Sequence, residues 1–374
     1  MFLLIITIVL FFAYGILILY YWQAWIQVPE GEVAGMPGQT KITVIIPARN
    51  EEKNIGRLLD ALARQDYPHH LTEIIVVDDH SGDQTAAIVS RYPHITLLSM
   101  DDETANSYKK KAIEKAISRS AGDLIITTDA DCEPGPEWLS TLVSFREKNN
   151  PVFIAAPVAF IENKGQNKLL YYFQVLDFLV LQGITGAAVS RKTLSMCNGA
   201  NLAYDKKAFY EAGGFRGIDH IASGDDMLLM HKIRKLYPDR LGFLKSEKAI
   251  VKTMAAQNWM DFLNQRIRWA SKAVQYDDKR IFWVLLLVYL FNLSFLILFL
   301  AGFINHYYWF YALYLWIAKT IVEYPFVKSV AVFFKRQSLM KYFFFFQPLH
   351  ILYTIGAGWL GQFGRYEWKG RKVK

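Results

Sequence analysis

Leu124-Ile125-Ile126-Thr127-Thr128-Asp129-Ala130-Asp131 is the stretch that decides the fold. An apolar, β-branched run of strand length ends directly in two carboxylates. Ionised carboxylates avoid burial unless they are paired, metal-bound or catalytic, so their position at a strand end needs a reason. Upstream, Glu73-Ile74-Ile75-Val76-Val77 ends the same way at Asp78-Asp79. Lys41-Ile42-Thr43-Val44-Ile45-Ile46-Pro47 and Ile95 to Ser99 are two further strand patterns. Helical runs lie between them. Asn54 is a candidate cap before Ile55, Leu58, Leu59 and Leu62; Thr85 to Val89 starts a helix; Lys109 to Ser118 turns Ala112, Ile113, Ala116 and Ile117 inward. Strands alternating with helices predict an α/β domain built on a parallel sheet. Such sheets bind ligands beyond the C-terminal ends of their strands, which predicts Pro47, Asp79 and Asp129 in one crevice.

The acidic pairs point to chemistry. If strand alternation continues, Asp129 and Asp131 face one side as hard oxygen ligands for Mg²⁺ or Mn²⁺ on a nucleotide diphosphate. A solvated turn would use the same residue type. Asp78-Asp79-His80-Ser81-Gly82-Asp83 reads as a strand-to-helix loop whose carboxylate can also accept hydrogen bonds from a base or ribose. Ser223-Gly224-Asp225-Asp226 precedes Met227-Leu228-Leu229 and reads as the acidic start of a helix. That start gives a carboxylate a rigid mount, and Asp226 is the candidate general base, with Asp225 beside it. Gln265-Arg266-Ile267-Arg268-Trp269 lies on an amphipathic helix. Its plain reading is an interfacial helix; its functional reading sets Gln265, Arg268 and Trp269 against an acceptor and a diphosphate, for which Arg supplies planar donors.

The 374 residues are 53% hydrophobic with a net charge of +8, enough for one large domain plus membrane segments. Much of the basic surplus flanks apolar runs, which favours the inner face of a bilayer over nucleic acid as partner. Cys132 and Cys197 form neither a disulfide framework nor a zinc spacing. Met1 to Trp22 reads as a retained anchor, with Tyr20, Tyr21, Trp22 and Trp25 as an interfacial belt. Ile281–Ile304, Tyr307–Val327 and Phe343–Phe363 are three more apolar segments, with Lys319 and Glu323 expected toward the inner end of theirs. Arg365, Lys369, Arg371, Lys372 and Lys374 belong inside by the positive-inside rule. That leaves one segment unable to span; Phe343–Phe363, with Pro348, Gly356, Gly358 and Gly361, is expected to be broken or re-entrant. The expected division is an anchor over 1–27, a cytoplasmic catalytic domain over 38–278 ending in an interfacial helix, membrane segments over 279–364 and a basic tail over 365–374.

As an ordered set, these residues resemble the membrane-bound family-2 glycosyltransferases, inverting enzymes with a nucleotide-diphospho-sugar fold of the GT-A type. The resemblance covers about residues 40–275. It implies that Ile46-Pro47-Ala48-Arg49-Asn50-Glu51-Glu52 is the first nucleotide-contacting strand and loop, with Pro47, Arg49 and Glu51 at the donor. It implies Asp79 as the uridine-binding residue and one lysine of Lys109-Lys110-Lys111, taken as Lys110, as the basic position near the nucleotide. Asp129 and Asp131 match the metal and diphosphate motif, and Asp226 the base. Asn198-Gly199-Ala200-Asn201 is similar to an acceptor-side loop, and Gln265, Arg268 and Trp269 to the motif of membrane-integrated members. Trp368-Lys369-Gly370-Arg371 is similar to a Trp/Arg-rich segment that covers the nucleotide in some members; a basic anchor beside the membrane would look the same.

The implied reaction is a single displacement at the anomeric carbon of a UDP-sugar, with inversion, onto a lipid or lipid-linked saccharide. A processive polysaccharide synthase of the same family is the alternative, although three C-terminal segments at most are few for a private polymer channel. A transporter or nucleotide sensor is the non-enzymatic alternative, and the intact carboxylate set argues against it. The sequence leaves the sugar and the oligomeric state open.

Overall fold

The computed structural model describes the chain except for residues 32–37, 101–107, 164, 195, 220, 222–223, 272–277, 364–365, 369–370 and 374. Ser223, Arg365, Lys369, Gly370 and Lys374, named above, lie outside the described residues. In chain order the elements are α1 (Phe2–Ile26), β1 (Ile42–Ala48), α2 (Ile55–Ala63), β2 (Thr72–Asp78), α3 (Thr85–Val89), β3 (Ile95–Ser99), α4 (Tyr108–Arg119) and β4 (Leu124–Thr127). Then come β5 (Glu133–Pro134), α5 (Trp138–Asn149), β6 (Phe153–Ala155), β7 (Val158–Ile161), α6 (Lys168–Ser190), β8 (Leu202–Asp205), α7 (Lys206–Glu211) and α8 (Asp225–Leu236). The chain continues through β9 (Leu241–Phe243), β10 (Val251–Met254), α9 (Trp259–Ala270), α10 (Lys279–Ala301), α11 (Tyr307–Phe333), α12 (Phe343–Phe363), β11 (Tyr366–Trp368) and β12 (Arg371–Val373).

These elements form two units. Residues 28–161 and 188–254 make the sheet unit; residues 1–27, 162–187 and 255–374 make the helical unit. The single domain expected over 38–278 is therefore interrupted, because 162–187 and everything from 255 onward pack with the helices.

The described strands of the sheet unit form a seven-stranded sheet in the order β3-β2-β1-β4-β8-β6-β9. The first four run parallel, with Ile42 opposite both Thr72 and Leu124. The expectation of a parallel sheet fails at β8, which runs antiparallel to β4 and β6; β6 and β9 are again parallel to each other. β1 is buried along almost its whole length, as a strand covered on both faces must be. Ile55, Leu58, Leu59 and Leu62 of α2 are at most 3% exposed, each side chain contributing roughly 1.5–3 kcal/mol on burial. Asn54 precedes α2 as expected but does not cap it. Its Nδ2 instead donates to Glu51 Oε2 at 2.7 Å, and its Oδ1 accepts from Arg57 at 2.6 Å. A second sheet joins β10 to β5 and β7.

In the helical unit, α1 is apolar all round and carries no charge. Among the described residues, α1, α6 and α10 are long and apolar enough to cross a membrane. Lys319 and Glu323 lie in the middle of α11, not toward its end, and both are buried. Lys319 Nζ sits 2.6 Å from Glu323 Oε1 and donates to Gln347 Oε1 at 2.5 Å. Gln347 Nε2 and Tyr14 Oη both donate to Glu323. Pairing removes the penalty that would otherwise push these charges to the end of an apolar helix. The expected break in Phe343–Phe363 is absent: α12 runs unbroken through Pro348. Apolar surroundings favour keeping every other backbone hydrogen bond, so one missing N–H is not enough to end the helix.

Candidate active site

Two of the expected carboxylate positions, Asp79 and Asp129, lie around the C-terminal end of β1. Asp79 N–H donates to Ala48 O at 2.8 Å on one side, and Thr128 N–H donates to Ile45 O at 3.3 Å on the other. The loops after β1 and β2 are laced together. Glu51 N–H donates to Thr85 Oγ1 at 2.7 Å, and Gly82 N–H to Asn50 Oδ1 at 2.9 Å. Asp79 is 6% exposed; Arg49 Nη1 donates to its carbonyl at 2.8 Å and lies 3.7 Å from its Oδ1. Pro47 is within β1, opposite Val77. Glu51 holds Asn54, so the structure gives its carboxylate a loop-fixing contact in addition to the donor role expected of it.

Asp129 and Asp131 do not continue the strand. Cys132 N–H donates to Asp129 O at 3.1 Å, closing a turn, so turn geometry and not strand alternation directs the two carboxylates. Asp131 Oδ2 accepts from Thr253 Oγ1 at 3.1 Å. Asp129 Oδ1 lies 2.6 Å from Lys109 Nζ.

That contact corrects the choice among the three lysines. Lys110 is 2% exposed, and its amine donates to Ile218 O at 2.8 Å and Ile221 O at 2.5 Å, tying α4 to the loop before α8. Lys109, one position earlier and on another face of the same helix, reaches the carboxylates. Its Nζ lies 2.6 Å from Asp129 and 3.4 Å from Asp225. Burial alone would lower the Lys109 ammonium, but the charges of Asp129 and Asp225 outweigh it and hold the group well above its ordinary value.

Asp225 and Asp226 open α8, after Gly224 at φ +77°, a left-handed turn that favours glycine. Asp226 Oδ2 accepts from Gly199 N–H at 2.9 Å, and its Oδ1 from Met227 N–H at 2.8 Å. The loop before β8 is thus bonded to the first turn of α8. Gly199 is closely approached: a Cβ there would lie 3.2 Å from Lys109 Nζ and 3.5 Å from Asp226 Oδ2. Asn201 anchors this loop from below. It is wholly buried, donates to Pro157 O and Ala249 O at 2.8 Å each, and accepts from Trp138 Nε1 at 2.9 Å. Thr128 Oγ1 adds a bond to Ala200 O at 2.9 Å. Sequence reasoning did not single out Tyr204 on β8. Its buried hydroxyl has no hydrogen-bond partner and is pushed up by burial and by Asp225, with Lys109 opposing.

Gln265, Arg268 and Trp269 lie on α9 in the helical unit, capped by Asn258, whose side chain accepts from Asp261 N–H at 2.9 Å. The buried member of this motif is Arg266, which had no role in the sequence reading. Its Nη2 lies 2.6 Å from Asp177 Oδ2 on α6, and its guanidinium sits 4.3 Å from the Trp269 ring centre.

No three His, Cys, Asp or Glu side chains among the described residues gather closely enough to hold an ion unaided. Two carboxylates at a strand end do fit Mg²⁺ or Mn²⁺ if the remaining ligands come from substrate phosphate and water, the common arrangement for such ions.

The seven-stranded mixed sheet is of the GT-A-like kind, and the comparisons agree. Residues 43–213 match the Glycosyl transferase family 2 model, so the chain carries a family-2 glycosyltransferase domain. A solved mannosyltransferase, PcManGT from Pyrobaculum calidifontis in complex with GDP-Man and Mn²⁺, superposes with a TM-score of 0.58 at 21% identity, covering 96% of this chain and 98% of that one. The glycosyltransferase AglE of Haloferax volcanii is 27% identical over 190 residues, 50% of this chain and 59% of its own length. An N-acetylglucosaminyltransferase of Rhizobium meliloti is 27% identical over 254 residues, 64% of this chain and 58% of its own. The chain therefore spans somewhat over half the length of these two curated relatives.

Proposed function

We propose that this chain is a membrane-bound inverting glycosyltransferase that moves a sugar from a nucleoside-diphosphate sugar to the hydroxyl of a lipid or lipid-linked saccharide. One observation carries the reading. Lys109 joins Asp129, at the end of β4, to Asp225, and the adjacent Asp226 is fixed by Gly199 N–H at 2.9 Å. A proton acceptor and a diphosphate-side cluster thus meet in one place.

Asp226 takes the proton of the acceptor hydroxyl. The acceptor oxygen forms its bond to the anomeric carbon as the bond from that carbon to the diphosphate breaks, and the nucleoside diphosphate leaves with the electron pair. A single base opposite the leaving group gives inversion. Asp129 and Asp131 would hold Mg²⁺ or Mn²⁺, which would supply charge neutralisation on the diphosphate. Lys109 adds a positive charge on the same side, and Asp79 with Arg49 forms the floor for the nucleoside.

The apolar helices α1 and α10 support membrane attachment, and Lys279 and Arg280 at the start of α10 favour a cytoplasmic sheet unit. The test is release of nucleoside diphosphate from a panel of UDP- and GDP-sugars by the protein in detergent with native lipids and Mn²⁺ or Mg²⁺. Metal-dependent release from one donor, reduced about 10²–10⁴-fold in Asp226→Asn, is expected. Wild-type rates in that variant would remove Asp226 as the base.

A further inference from the structure

In the helical unit, α10 and α11 form a hairpin with a short turn, across which Trp309 Nε1 donates to Phe299 O at 3.0 Å. Residues equally far from that turn therefore stand at about the same height. Helix α12 meets α11 near its own start: Phe344 stacks on Trp316 at 4.4 Å, and Gln347 accepts from Lys319 at 2.5 Å. It meets α10 near its own end, where a Cβ on Gly358 would lie 2.7 Å from the Tyr289 ring. Trp316, Lys319 and Tyr289 are all near the middle of their helices and about equally far from the turn. The two ends of α12 thus sit at one height. With 21 residues it is about 31 Å long, and a helix of that length crossing a bilayer would run from one end of its neighbours to the other. α12 lies across them instead. It finishes beside the last turn of α9, where a Cβ on Gly361 would lie 2.7 Å from that of Ala270, on the side from which α10 starts.

The two faces of α12 differ. On one, Phe346 packs against Phe173 of α6 at 5.4 Å and Tyr353 against Phe262 of α9 at 5.3 Å. On the other, Phe345, Leu352 and Trp359 are 72%, 60% and 61% exposed. Their spacing of seven sets them in one line along the helix. A line of large apolar side chains is a poor surface to leave in water. The neighbouring α10 and α11 expose Leu290, Ile297, Ile317 and Ile321 in the same way, and the acyl chains that cover those residues can cover this line too.

We propose that α12 lies in the plane of the leaflet next to the start of α10, with Phe345, Leu352 and Trp359 against its acyl chains, and that the chain leaves α12 on that same side. α9, which touches α12 at Phe262 and at Ala270, is carried at the same depth. The inference rests on the membrane attachment proposed above and not on the transfer reaction.

The test uses the full chain with Cys197→Ser in vesicles of phosphatidylcholine and phosphatidylglycerol; Cys132 is buried and stays. Nitroxide labels are placed singly through Phe345→Cys, Leu352→Cys and Trp359→Cys, with Leu360→Cys if the last does not fold, and on α10 through Leu290→Cys and Ile297→Cys. Electron paramagnetic resonance reads depth from the competing access of oxygen and a nickel chelate. The α10 pair should differ by about 10 Å, the rise of seven residues along a spanning helix. Successive labels on α12 should differ by less than about 5 Å, half of that rise, and all should favour oxygen. Steps of about 10 Å in one direction would mean that α12 spans. Preference for nickel would put the line in water, and low access for both would put a second copy of this chain on it. Each of these three results overturns the proposal. If the α10 labels also fail to favour oxygen, membrane attachment itself falls, and the proposal with it. In cells, an impermeant maleimide should separate Asn305→Cys from both Lys279→Cys and Lys372→Cys; Lys372→Cys reacting together with Asn305→Cys would overturn the proposal as well.

Discussion

Lys109 Nζ lies 2.6 Å from Asp129 Oδ1, so an ammonium group already occupies one face of the carboxylate proposed to hold a metal ion. Ion and ammonium compete for that oxygen. Lys109→Met is expected to bind Mn²⁺ more tightly, read by titration of free Mn²⁺ with electron paramagnetic resonance. The same variant should lose about 10–100-fold in transfer, the usual value of one charge-assisted hydrogen bond. Weaker Mn²⁺ binding in the variant would show that Lys109 organises the site and does not compete within it.

Gly199→Ala tests the close contact between the loop before β8 and the start of α8. A Cβ would stand 3.2 Å from Lys109 Nζ and 3.5 Å from Asp226 Oδ2. The flexible lysine can yield, so the fold should persist with a nearly unchanged thermal midpoint. Transfer should fall at least several-fold, chiefly in kcat, because the displaced Lys109 ammonium moves off Asp129 and Asp225 beside the base. Unchanged kcat would mean that this contact does not position the base.

Asn201→Ala removes three buried hydrogen bonds and leaves Pro157 O, Ala249 O and Trp138 Nε1 without that partner. Destabilisation of about 2–4 kcal/mol is expected, measured by denaturant unfolding of the sheet unit's signal. A change below about 0.5 kcal/mol would mean that water or a shifted loop replaces the amide.

Tyr204→Phe should have the opposite sign. The hydroxyl is buried without a partner, while the ring stacks on Phe153 at 5.8 Å and on Phe209 at 6.0 Å. Deleting the oxygen keeps the stacking and removes a desolvated polar atom, so stability should stay level or rise by about 1 kcal/mol. A clear loss of stability in calorimetry would indicate a bound water or substrate group on that hydroxyl.

Asp83 predicts a pH dependence. Its slight burial works to raise the carboxyl, but bonds from the Thr85 hydroxyl and from the Glu52 and Thr85 N–H groups hold it below its ordinary 3.8. A carboxyl lowered on folding contributes stability above its unfolded pKa and loses it as pH falls through the folded value. Asp83→Asn should therefore be less stable than wild type at pH 7, and the gap should close below about pH 4. The effect is small, since the group is mostly solvated. A gap that is constant from pH 7 to pH 3 would assign it to shape and not to charge.

β1, β4 and the second half of β2 were legible because each is a short, buried apolar run, and burial on both faces leaves a clear mark in sequence; β3, at the sheet edge, is only partly buried and was read from its β-branched pattern. The direction of β8 was not legible, since Leu202-Ala203-Tyr204-Asp205 reads the same whichever way it pairs. Adjacent lysines at 109 and 110 carry the same charge and differ only in helix face, so the sequence could not say which one meets Asp129. Alternation failed at Asp129-Ala130-Asp131 because the strand ends at Thr127 and the chain turns. Lys168–Ser190 went unread because Gln174, Asp177 and Gln182 interrupt its apolar run, and the cation that neutralises Asp177 is Arg266, far along the chain.

The reversed strand β8 has one more consequence. Because it runs against β4, with Leu202 opposite Thr127, its entrance rather than its exit lies beside Asp129. The chain leaves the reactive edge at residue 128, makes a long excursion and returns to the same edge at residue 201. Everything in that excursion is a detour whose two ends are pinned by Thr128 Oγ1 on Ala200 O at 2.9 Å. That excursion carries Asp129 and Asp131 at its start, β6 of the same sheet in its course and Gly199 at its end, so a change of length within it would pull on the reactive edge from both sides.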